Sequence, residues 1–402
     1  MSRASRWKRV QLGEICTVGG LKTGPFGSQL HASEYAETGV PVIMPRDLRD
    51  SRVRHDSPAR VPVTIAARLK DHALLDGDLV FARRGDIGRF ALIGENETGW
   101  LCGTGCIRAR LDRTAARPGF VATLLEHNAA IAWLRKNAVG QTMLNLSART
   151  VAALPLMLPS IEVQRQIEDV VKLFGERISG LGRLIQAKHR FQIALSKQLF
   201  AGRVRFRAFA ESQWNVTRLR AITRESRETN RNVLDASRVM GVSKTDGIIP
   251  MRDRTIGPDL RRYKVLHPRS FAYNPMRINI GSIARWAGDS DVLVSPDYVV
   301  FQPITEVLDD RFLDHYRRSE LWERYMQTAG SGSVRVRIYY DDLAAMILEL
   351  PGLEEQRHIA GALDALDREI ALLERQRDLL ERQKRAVTDR LITGEVHLHA
   401  KT

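Results

Sequence analysis

The sequence predicts an α+β protein in which two globular domains of mixed α/β structure are separated by two long helices. Residues 158–204 reappear in one unbroken register at 350–396. Solenoid units span only a few tens of residues, so a repeat at this distance indicates duplication of a whole domain. Within each copy, apolar residues alternate at spacings of four and three. The duplication and the heptads together predict a pseudo-two-fold symmetric molecule whose helices form an antiparallel coiled coil.

The repeat also divides the chain into four segments. We expect globular domains at 1–155 and 206–347, a central spacer helix within 156–205, and a C-terminal spacer helix with the tail within 348–402. Each helix follows a Leu-Pro pair and ends just before a glycine, as helix starts and C-terminal caps commonly do. A helix of about 40 residues would be roughly 60 Å long.

The apolar stripe of each predicted helix is sustained over more than four heptads, with Lys188 and Gln192 as polar breaks in the first. Regular heptads favour pairing of the two helices over the alternative in which each helix packs on its own globular domain. The predicted coiled-coil interface consists of Ile167, Val171, Phe174, Ile178, Leu181, Ile185, Ile359, Leu363, Leu366, Ile370, Leu373 and Leu380.

The two globular domains are predicted to share a fold. Fainter copies of the repeat persist in them, since Trp7 matches Trp214 and Leu146 matches Ile338. Short apolar runs bounded by Gly, Pro and Asp predict strands, and longer runs predict helices. The predicted strands are 40–44, 78–82, 91–93 and 292–301, and the predicted helices lie near 122–136 and 312–328.

Composition indicates a folded protein with a basic surface. The 402 residues are 44% hydrophobic and 27% charged, with a formal net charge of +15. The predicted helices carry nearly balanced charge, so the surplus lies mainly on the globular domains, as a phosphate-binding surface would require. No apolar stretch approaches the roughly 20 residues of a membrane span and no secretory signal is evident, so we expect a cytoplasmic protein. Three cysteines favour buried thiols over a disulfide framework or a zinc site.

The sequence contains few of the patterns that enzymes require. No loop has the spacing of a nucleotide-binding P-loop, and Asn-Pro-Met-Arg at 274–277 lacks the second proline and the aromatic residue of an adenine methyltransferase loop. The carboxylates at 76–78 and 85–86 are interpreted as turn residues, and Asp297 and the pair at 341–342 lack the other groups of a nuclease site. We therefore expect neither catalysis nor a metal site in this chain.

Loops with the chemistry of phosphate and base contact recur in both globular domains. Arg and Lys can bind phosphate or guanine, Gln and Asn can read adenine, and Gly and Ser let backbone N–H groups approach a phosphate. One such loop could be a solvated basic loop, whereas six across two matched domains favour DNA contact. The candidate DNA-binding residues are Lys22, Thr23, Gly24, Ser28, Gln29, Arg46, Arg49, Arg83 and Arg84 in the first domain, and Ser243, Lys244, Thr245, Asn274, Arg277, Ser331, Ser333, Arg335 and Arg337 in the second.

The chain resembles the specificity subunits of type I restriction-modification systems. Three sets of residues carry the resemblance: the duplicated Leu-Pro-x-x-Glu-x-Gln-Arg-x-Ile at 158–167 and 350–359, the helix ends Leu-Phe-Ala-Gly and Leu-Ile-Thr-Gly, and Thr-Gly-Pro-Phe-Gly-Ser at 23–28. The resemblance covers essentially the whole chain. It implies that 1–155 and 206–347 are target-recognition domains that each read half of a split DNA sequence. It also implies that the helices fix the separation of these domains and that the subunit has no catalytic activity of its own.

The resemblance also implies partners. Two methyltransferase subunits would use S-adenosylmethionine to methylate adenine in double-stranded DNA. Two restriction subunits would act on the same DNA with ATP and Mg²⁺. This chain itself would bind no cofactor. The methyltransferase subunits would dock on the helices. The alternative interpretation is a pseudo-symmetric scaffold whose basic faces bind structured RNA or an acidic protein, and an enzyme acting alone comes third.

Overall fold

The computed structural model describes residues 7–140, 144–251, 255–329 and 337–396. The chain divides into two compact units. Unit 1 comprises Met1–Leu181 with Gln376–Thr402, and unit 2 comprises Gly182–Arg375. Each unit therefore contains one globular domain together with a segment of both long helices.

The two long helices each contain 40 residues. The central helix is Ile161–Phe200, and the C-terminal helix is Leu353–Ile392. Each is followed by a glycine in the left-handed region, Gly202 at φ 66° and Gly394 at φ 76°. Glycine adopts this conformation without the steric penalty of a Cβ, so it ends a helix while the last carbonyls keep hydrogen-bond partners. The predicted lengths and ends of both helices are confirmed.

Within unit 2 the two long helices run antiparallel. Lys188 Nζ of the central helix lies 2.8 Å from a carboxylate oxygen of Glu369. Four residues further along, the Gln192 side-chain amide donates to Asp367 Oδ1 at 2.5 Å. Residue numbers therefore rise along one helix as they fall along the other. Both polar breaks in the heptad stripe therefore pair with carboxylates of the opposite helix.

The predicted interface residues follow the less exposed stripe of each helix. In unit 1, Leu391 of the C-terminal helix belongs to the same buried cluster as Val163 and Ile167 of the central helix, so the pairing is antiparallel there too. The fold class, including the antiparallel coiled coil, is confirmed. The buried interface residues are Ile167, Ile185, Ile359, Leu363 and Ile370; the half-buried ones are Val171, Phe174, Ile178, Leu181, Leu366, Leu373 and Leu380.

Unit 1 is built on a four-stranded antiparallel sheet. Both faces of its strand Leu79–Ala82 are buried: Leu79 and Phe81 pack with the helices of the unit, while Val80 and Ala82 pack in a second apolar cluster. The uninterrupted apolar run that predicts this strand reflects its position between two cores. In sheet order the strands are Cys16–Thr23, Cys106–Leu111, Leu79–Ala82 and Phe90–Leu92.

The remaining elements of unit 1 surround this sheet. A three-stranded sheet has the order Ala59–Val61, Val40–Ile43 and Leu101–Cys102, and two-stranded pairs join Lys8–Gln11 to Pro155–Leu158 and Leu48–Arg49 to Arg52–Val53. The shorter helices are Val63–Arg68, Pro118–Glu126, Asn128–Asn137 and Ala148–Ala152.

Unit 2 repeats this arrangement. Its central sheet has four strands, in the order Thr223–Ser226, Val299–Pro303, Phe271–Tyr273 and Ile283–Arg285. A second four-stranded sheet has the order Gly247–Pro250, Val239–Ser243, Val292–Val294 and Lys264–Leu266. A two-stranded pair joins Asn215–Arg218 to Ile347–Leu350. The shorter helices are Leu219–Ile222, Asp310–Tyr316, Glu320–Thr328 and Tyr340–Ala344. Ala272 again faces one apolar cluster while Phe271 and Tyr273 face the other.

Three predicted elements are interrupted in the structure. The helix predicted near 122–136 is two helices, because His127 Nδ1 accepts a hydrogen bond from Ala129 N at 3.3 Å and starts the second. Ser319 caps the second of the two helices found near 312–328 in the same way, accepting from Trp322 N. The strand predicted at 292–301 is two strands joined by a turn. Capping and turn residues, rather than apolar periodicity, set these boundaries.

The duplicated glutamine of the helix-start motif anchors each long helix to its globular domain. Gln164 is 1% exposed; its Oε1 accepts from Arg117 N at 2.9 Å and its Nε2 donates to Pro159 O at 3.0 Å. Gln356 is fully buried and repeats both bonds, accepting from Asp309 N and donating to Pro351 O. Each carboxamide satisfies a backbone N–H at the start of a domain helix, which explains why this residue is repeated.

We predict that Gln164→Ala or Gln356→Ala destabilises the unit that contains it by about 1–3 kcal/mol, because a buried backbone N–H loses its acceptor. Urea unfolding followed by circular dichroism measures the loss. The matched controls are Arg165→Ala and Arg357→Ala, which alter the next residue of the same motif, where the side chain is half exposed and bonds only within its own helix. Equal stability losses for the glutamine and arginine variants would contradict the anchoring role.

Candidate nucleic-acid interface

In unit 2, the candidate loops converge on one edge of the domain. The hairpin turn after Val239–Ser243 carries Ser243, Lys244 and Thr245. This hairpin lies against the loop at 274–282: a Cβ on Gly281, at φ 94°, would come within 3.3 Å of Lys244 Cγ. A backbone hydrogen bond joins the same loop to the segment that contains Arg337, because Ile338 N donates to Pro275 O at 3.0 Å.

The polar side chains of this edge differ in their availability. Asp246 Oδ2 accepts hydrogen bonds from Ser243 Oγ and from Thr245 Oγ1, each at 2.8 Å, and these bonds lower the pKa of Asp246. Asn274 Oδ1 accepts from Met276 N at 3.0 Å and so shapes its own turn. Within the described ranges, no carboxylate pairs with the exposed cations of the edge, which are Lys244, Arg277 and Arg337. Ser331, Ser333 and Arg335 lie outside the described residues.

In unit 1, two candidate loops meet around residues 103–105. A Cβ on Gly24 would lie only 1.9 Å from Gly103 O, so glycine is required there for close backbone packing. Thr104 Oγ1 donates to Pro25 O at 2.7 Å. Arg83 N donates to Gly105 O at 2.7 Å. The loop that begins at Thr23 and the loop that carries Arg83 and Arg84 are therefore held side by side.

Some candidate side chains of unit 1 already bond to other protein groups or are half-buried, and others are more accessible to a ligand. Lys22 Nζ lies 3.3 Å from Asp71 Oδ2, and this bond lowers the pKa of Asp71. Gln29 Oε1 accepts weakly from Phe26 N at 3.4 Å, and Thr23 is half-buried. The more accessible residues are Ser28, Arg46, Arg49 and Arg84; Arg46 and Arg49 each approach only a neighbouring aspartate, at 3.7 and 3.6 Å.

The two edges occupy the same position in the fold. Arg83 follows the strand Leu79–Ala82, and Asn274 follows the equivalent strand Phe271–Tyr273. Leu146 N donates to Arg83 O at 2.9 Å, just as Ile338 N donates to Pro275 O in unit 2. The sequence match of Leu146 with Ile338 thus marks the segment that holds each candidate loop.

Sequence reasoning missed two residues of the unit 1 edge. Asn145 Oδ1 accepts from Arg83 Nε at 3.0 Å, and Thr104 links two loops. Asn145 lies next to Leu146, one of the matched positions, so the repeat contained a signal for it. Thr104 had none, because only the fold brings it to Pro25.

The carboxylates considered for catalysis mostly have structural partners. Asp78 binds Arg110, Asp86 binds Arg89, and Asp342 accepts from Tyr339 N at the start of a helix. Among the described residues, no three His, Cys, Asp or Glu side chains are grouped to hold a metal ion. Burial raises the pKa of Cys16 to about 11 and that of Cys102 to about 12, so neither thiol is a ready nucleophile. No described helix is long and apolar enough to cross a membrane.

Comparison with known protein families identifies the family of the chain. A family model described as the type I restriction modification DNA specificity domain matches residues 4–188 and 275–382. The chain belongs to this family. It is therefore a DNA-binding specificity subunit of a type I restriction-modification system, as the duplicated motif predicts, and the alternative RNA- or protein-binding scaffold is not favoured.

Individual proteins are similar to this chain along most of its length. A protein of Methanocaldococcus jannaschii named as the MjaX type I restriction enzyme specificity subunit is 21% identical over 398 residues, covering 90% of this chain and 88% of the relative. Two solved structures share the fold. The S subunit of the type I system of M. genitalium has a TM-score of 0.58 at 13% identity, covering 100% and 98% of the two chains. The HsdS subunit of Thermoanaerobacter tengcongensis has a TM-score of 0.51 at 20% identity, covering 97% of each.

Proposed function

We propose that units 1 and 2 each read one half of a bipartite DNA target, and that the chain directs adenine methylation to it without catalysing a reaction itself. The observation that carries this proposal is the pair of matched edges. Both lie after equivalent strands and are held by equivalent hydrogen bonds, yet the residue whose carbonyl accepts the matched bond is Arg83 in one and Pro275 in the other. The same scaffold presenting different side chains suits two different half-sites.

The proposed partners supply the chemistry. Two methyltransferase subunits would bind S-adenosylmethionine, and two restriction subunits would use ATP and Mg²⁺, in the cytoplasm of the cell. A third solved structure with this fold, at a TM-score of 0.55 and 19% identity, is titled for complex assembly and conformational transition of the type I system. The contribution of this chain would be to hold DNA and partners in fixed register.

Mapping methylated adenines across a genome tests the proposal. In cells that express this chain with its methyltransferase subunits, we expect methylation at a motif of two short half-sites separated by a spacer of unspecified sequence. Deleting the chain should remove that motif and no other. Methylation that persists after the deletion, or a motif without two separated parts, would contradict the proposed role.

The long helices are proposed to set the spacer, because each is 40 residues long and runs through both units. Inserting seven residues after Leu181 and seven after Arg375 keeps the heptad phase and adds about 10 Å to the pair. We expect the methylated motif to keep its half-site bases while its spacer changes, or methylation to be lost. Insertions of three residues at the same places break the seam and serve as the control. An unchanged spacer would contradict the spacer role.

Exposed apolar side chains on the helices of unit 2 are the proposed docking site for a methyltransferase subunit. Leu184 and Phe191 of the central helix are 43% and 54% exposed and are seven residues apart, so they lie on the same face of that helix. These residues lie off the coiled-coil seam. Large apolar side chains exposed close together on a folded surface mark protein–protein contact sites.

We predict that the double substitution Leu184→Gln and Phe191→Gln reduces co-purification of the methyltransferase subunit at least tenfold, since glutamine preserves the helix but removes the apolar contact. Quantitative pull-down with a tagged chain measures the effect. Val233→Gln removes a more exposed apolar side chain, 82% exposed, from the globular domain and should leave co-purification unchanged. Equal losses for the two variants would argue against a helix docking site.

A further inference from the structure

Arg83 is held by the protein at three points. Its backbone N donates to Gly105 O at 2.7 Å and its backbone carbonyl accepts from Leu146 N at 2.9 Å, so the residue is fixed from both sides. Its side-chain Nε donates to Asn145 Oδ1 at 3.0 Å. Asn145 is itself fixed, because its N and O exchange two backbone hydrogen bonds with Val139, at 2.8 and 3.0 Å. The orientation of the guanidinium is thus set before any ligand arrives.

This arrangement leaves the outer fork of the guanidinium available. Only Nε is committed to Asn145, and no carboxylate in the described part of the chain forms an ion pair with Arg83. Two parallel N–H groups from Nη1 and Nη2 match the O6 and N7 acceptors that guanine presents in the major groove. A fork that is already oriented loses less rotational freedom on binding than a mobile one.

The neighbouring arginine provides the contrast. Arg84 is exposed and has no side-chain partner among the described residues. A mobile cation at the rim of a basic edge suits a phosphate, whose recognition needs charge more than orientation. The two adjacent arginines therefore differ in the property that separates base reading from backbone contact.

We infer that Arg83 reads a guanine in the half-site bound by unit 1, and that Asn145 is a positioning residue that orients its guanidinium. The inference rests on the proposed function, since it assumes that this edge contacts a DNA half-site. It goes further by separating a base-reading residue from a phosphate-binding one. Unit 2 has a proline at the equivalent position, since Pro275 O accepts from Ile338 N as Arg83 O accepts from Leu146 N. The guanine contact accordingly belongs to one half-site only.

The test uses the complex of the full chain with its methyltransferase subunits and a duplex library randomised through both half-sites. Sequencing the methylated duplexes gives the base preference at every position. For Arg83→Ala and for Arg83→Lys, we expect the preference for guanine at one base pair of a single half-site to fall about 5- to 140-fold, the equivalent of one bidentate contact of roughly 1–3 kcal/mol. Lysine retains the charge but not the fork, so it separates base reading from charge.

Two further variants define the roles of the neighbours. Arg84→Ala should weaken binding to all sequences alike and lower the dependence of log affinity on log salt by about one. Asn145→Ala should reduce the guanine preference at the same base pair, and Asn145→Asp, whose carboxylate still accepts from Nε, should retain it. Combining Asn145→Ala with Arg83→Ala should add nothing to the effect of Arg83→Ala alone.

The outcomes that overturn the inference are distinct from failure of the proposed function. If the wild-type complex methylates no bipartite motif, the proposed function itself is wrong. If it does, but Arg83→Lys retains every base preference, or Arg83→Ala weakens all sequences uniformly, Arg83 is not a base reader. If Asn145→Ala lowers only the melting temperature and leaves base preferences unchanged, Asn145 has a structural role and not a positioning one.

Discussion

The antiparallel packing of the central helix on the C-terminal helix is the constraint on which each unit depends. In unit 2, the buried core includes Leu199 and Phe200 from the end of one helix and Ile359 and Leu363 from the start of the other. In unit 1, Leu391 near the end of the C-terminal helix shares a buried core with Val163 and Ile167 near the start of the central helix. Burial of apolar area is the main driving force of folding. Each globular domain therefore acquires its full core only when both helices are in place.

The attachment of the helices to the globular domains combines a repeated polar anchor with contacts that differ. Gln164 and Gln356 make the same bonds in both units. Around them, unit 1 uses Arg117 with Glu168 at 2.7 Å, whereas unit 2 uses the buried His315 with Asp364 at 2.8 Å. A buried carboxamide satisfies backbone groups without the desolvation penalty of a charge. This difference in desolvation penalty explains why the glutamine is repeated in both units while the ion pairs around it differ.

The sequence was sufficient to predict features that arise from periodicity and local capping. The heptads predicted the helix pairing, and Gly202 and Gly394 marked the helix ends because the left-handed conformation has a simple residue preference. Contacts between distant segments were not predictable. The role of Gln164 depends on Arg117 N, and that of Asn145 depends on Arg83, and neither contact has a periodic signature.

The candidate site shows the same division. Residue type predicted the basic loops, and the fold gathers several of them on matched edges; their contact with DNA stays a prediction. It did not reveal that Gly24 is required for backbone packing against Gly103, or that the Ser243 and Thr245 hydroxyls are bound to Asp246. That packing contact and those hydrogen bonds depend on residues that only the folded chain brings together. The arginines and Lys244 remain as the candidate groups most accessible to a DNA ligand.

The division of the chain into units has a consequence for how such proteins change over time. Unit 2 is one continuous stretch, Gly182–Arg375, that begins and ends in the middle of the two long helices. Two genetic crossovers at these points would transfer a complete hydrophobic core, with its own share of both helices and its own candidate edge for DNA contact. Crossovers at the outer ends of the globular domain would instead separate Leu348 from Ile359 and Leu363, which share that core. Recombination within the helices would thus exchange one half of the proposed specificity and leave the core of the other unit intact.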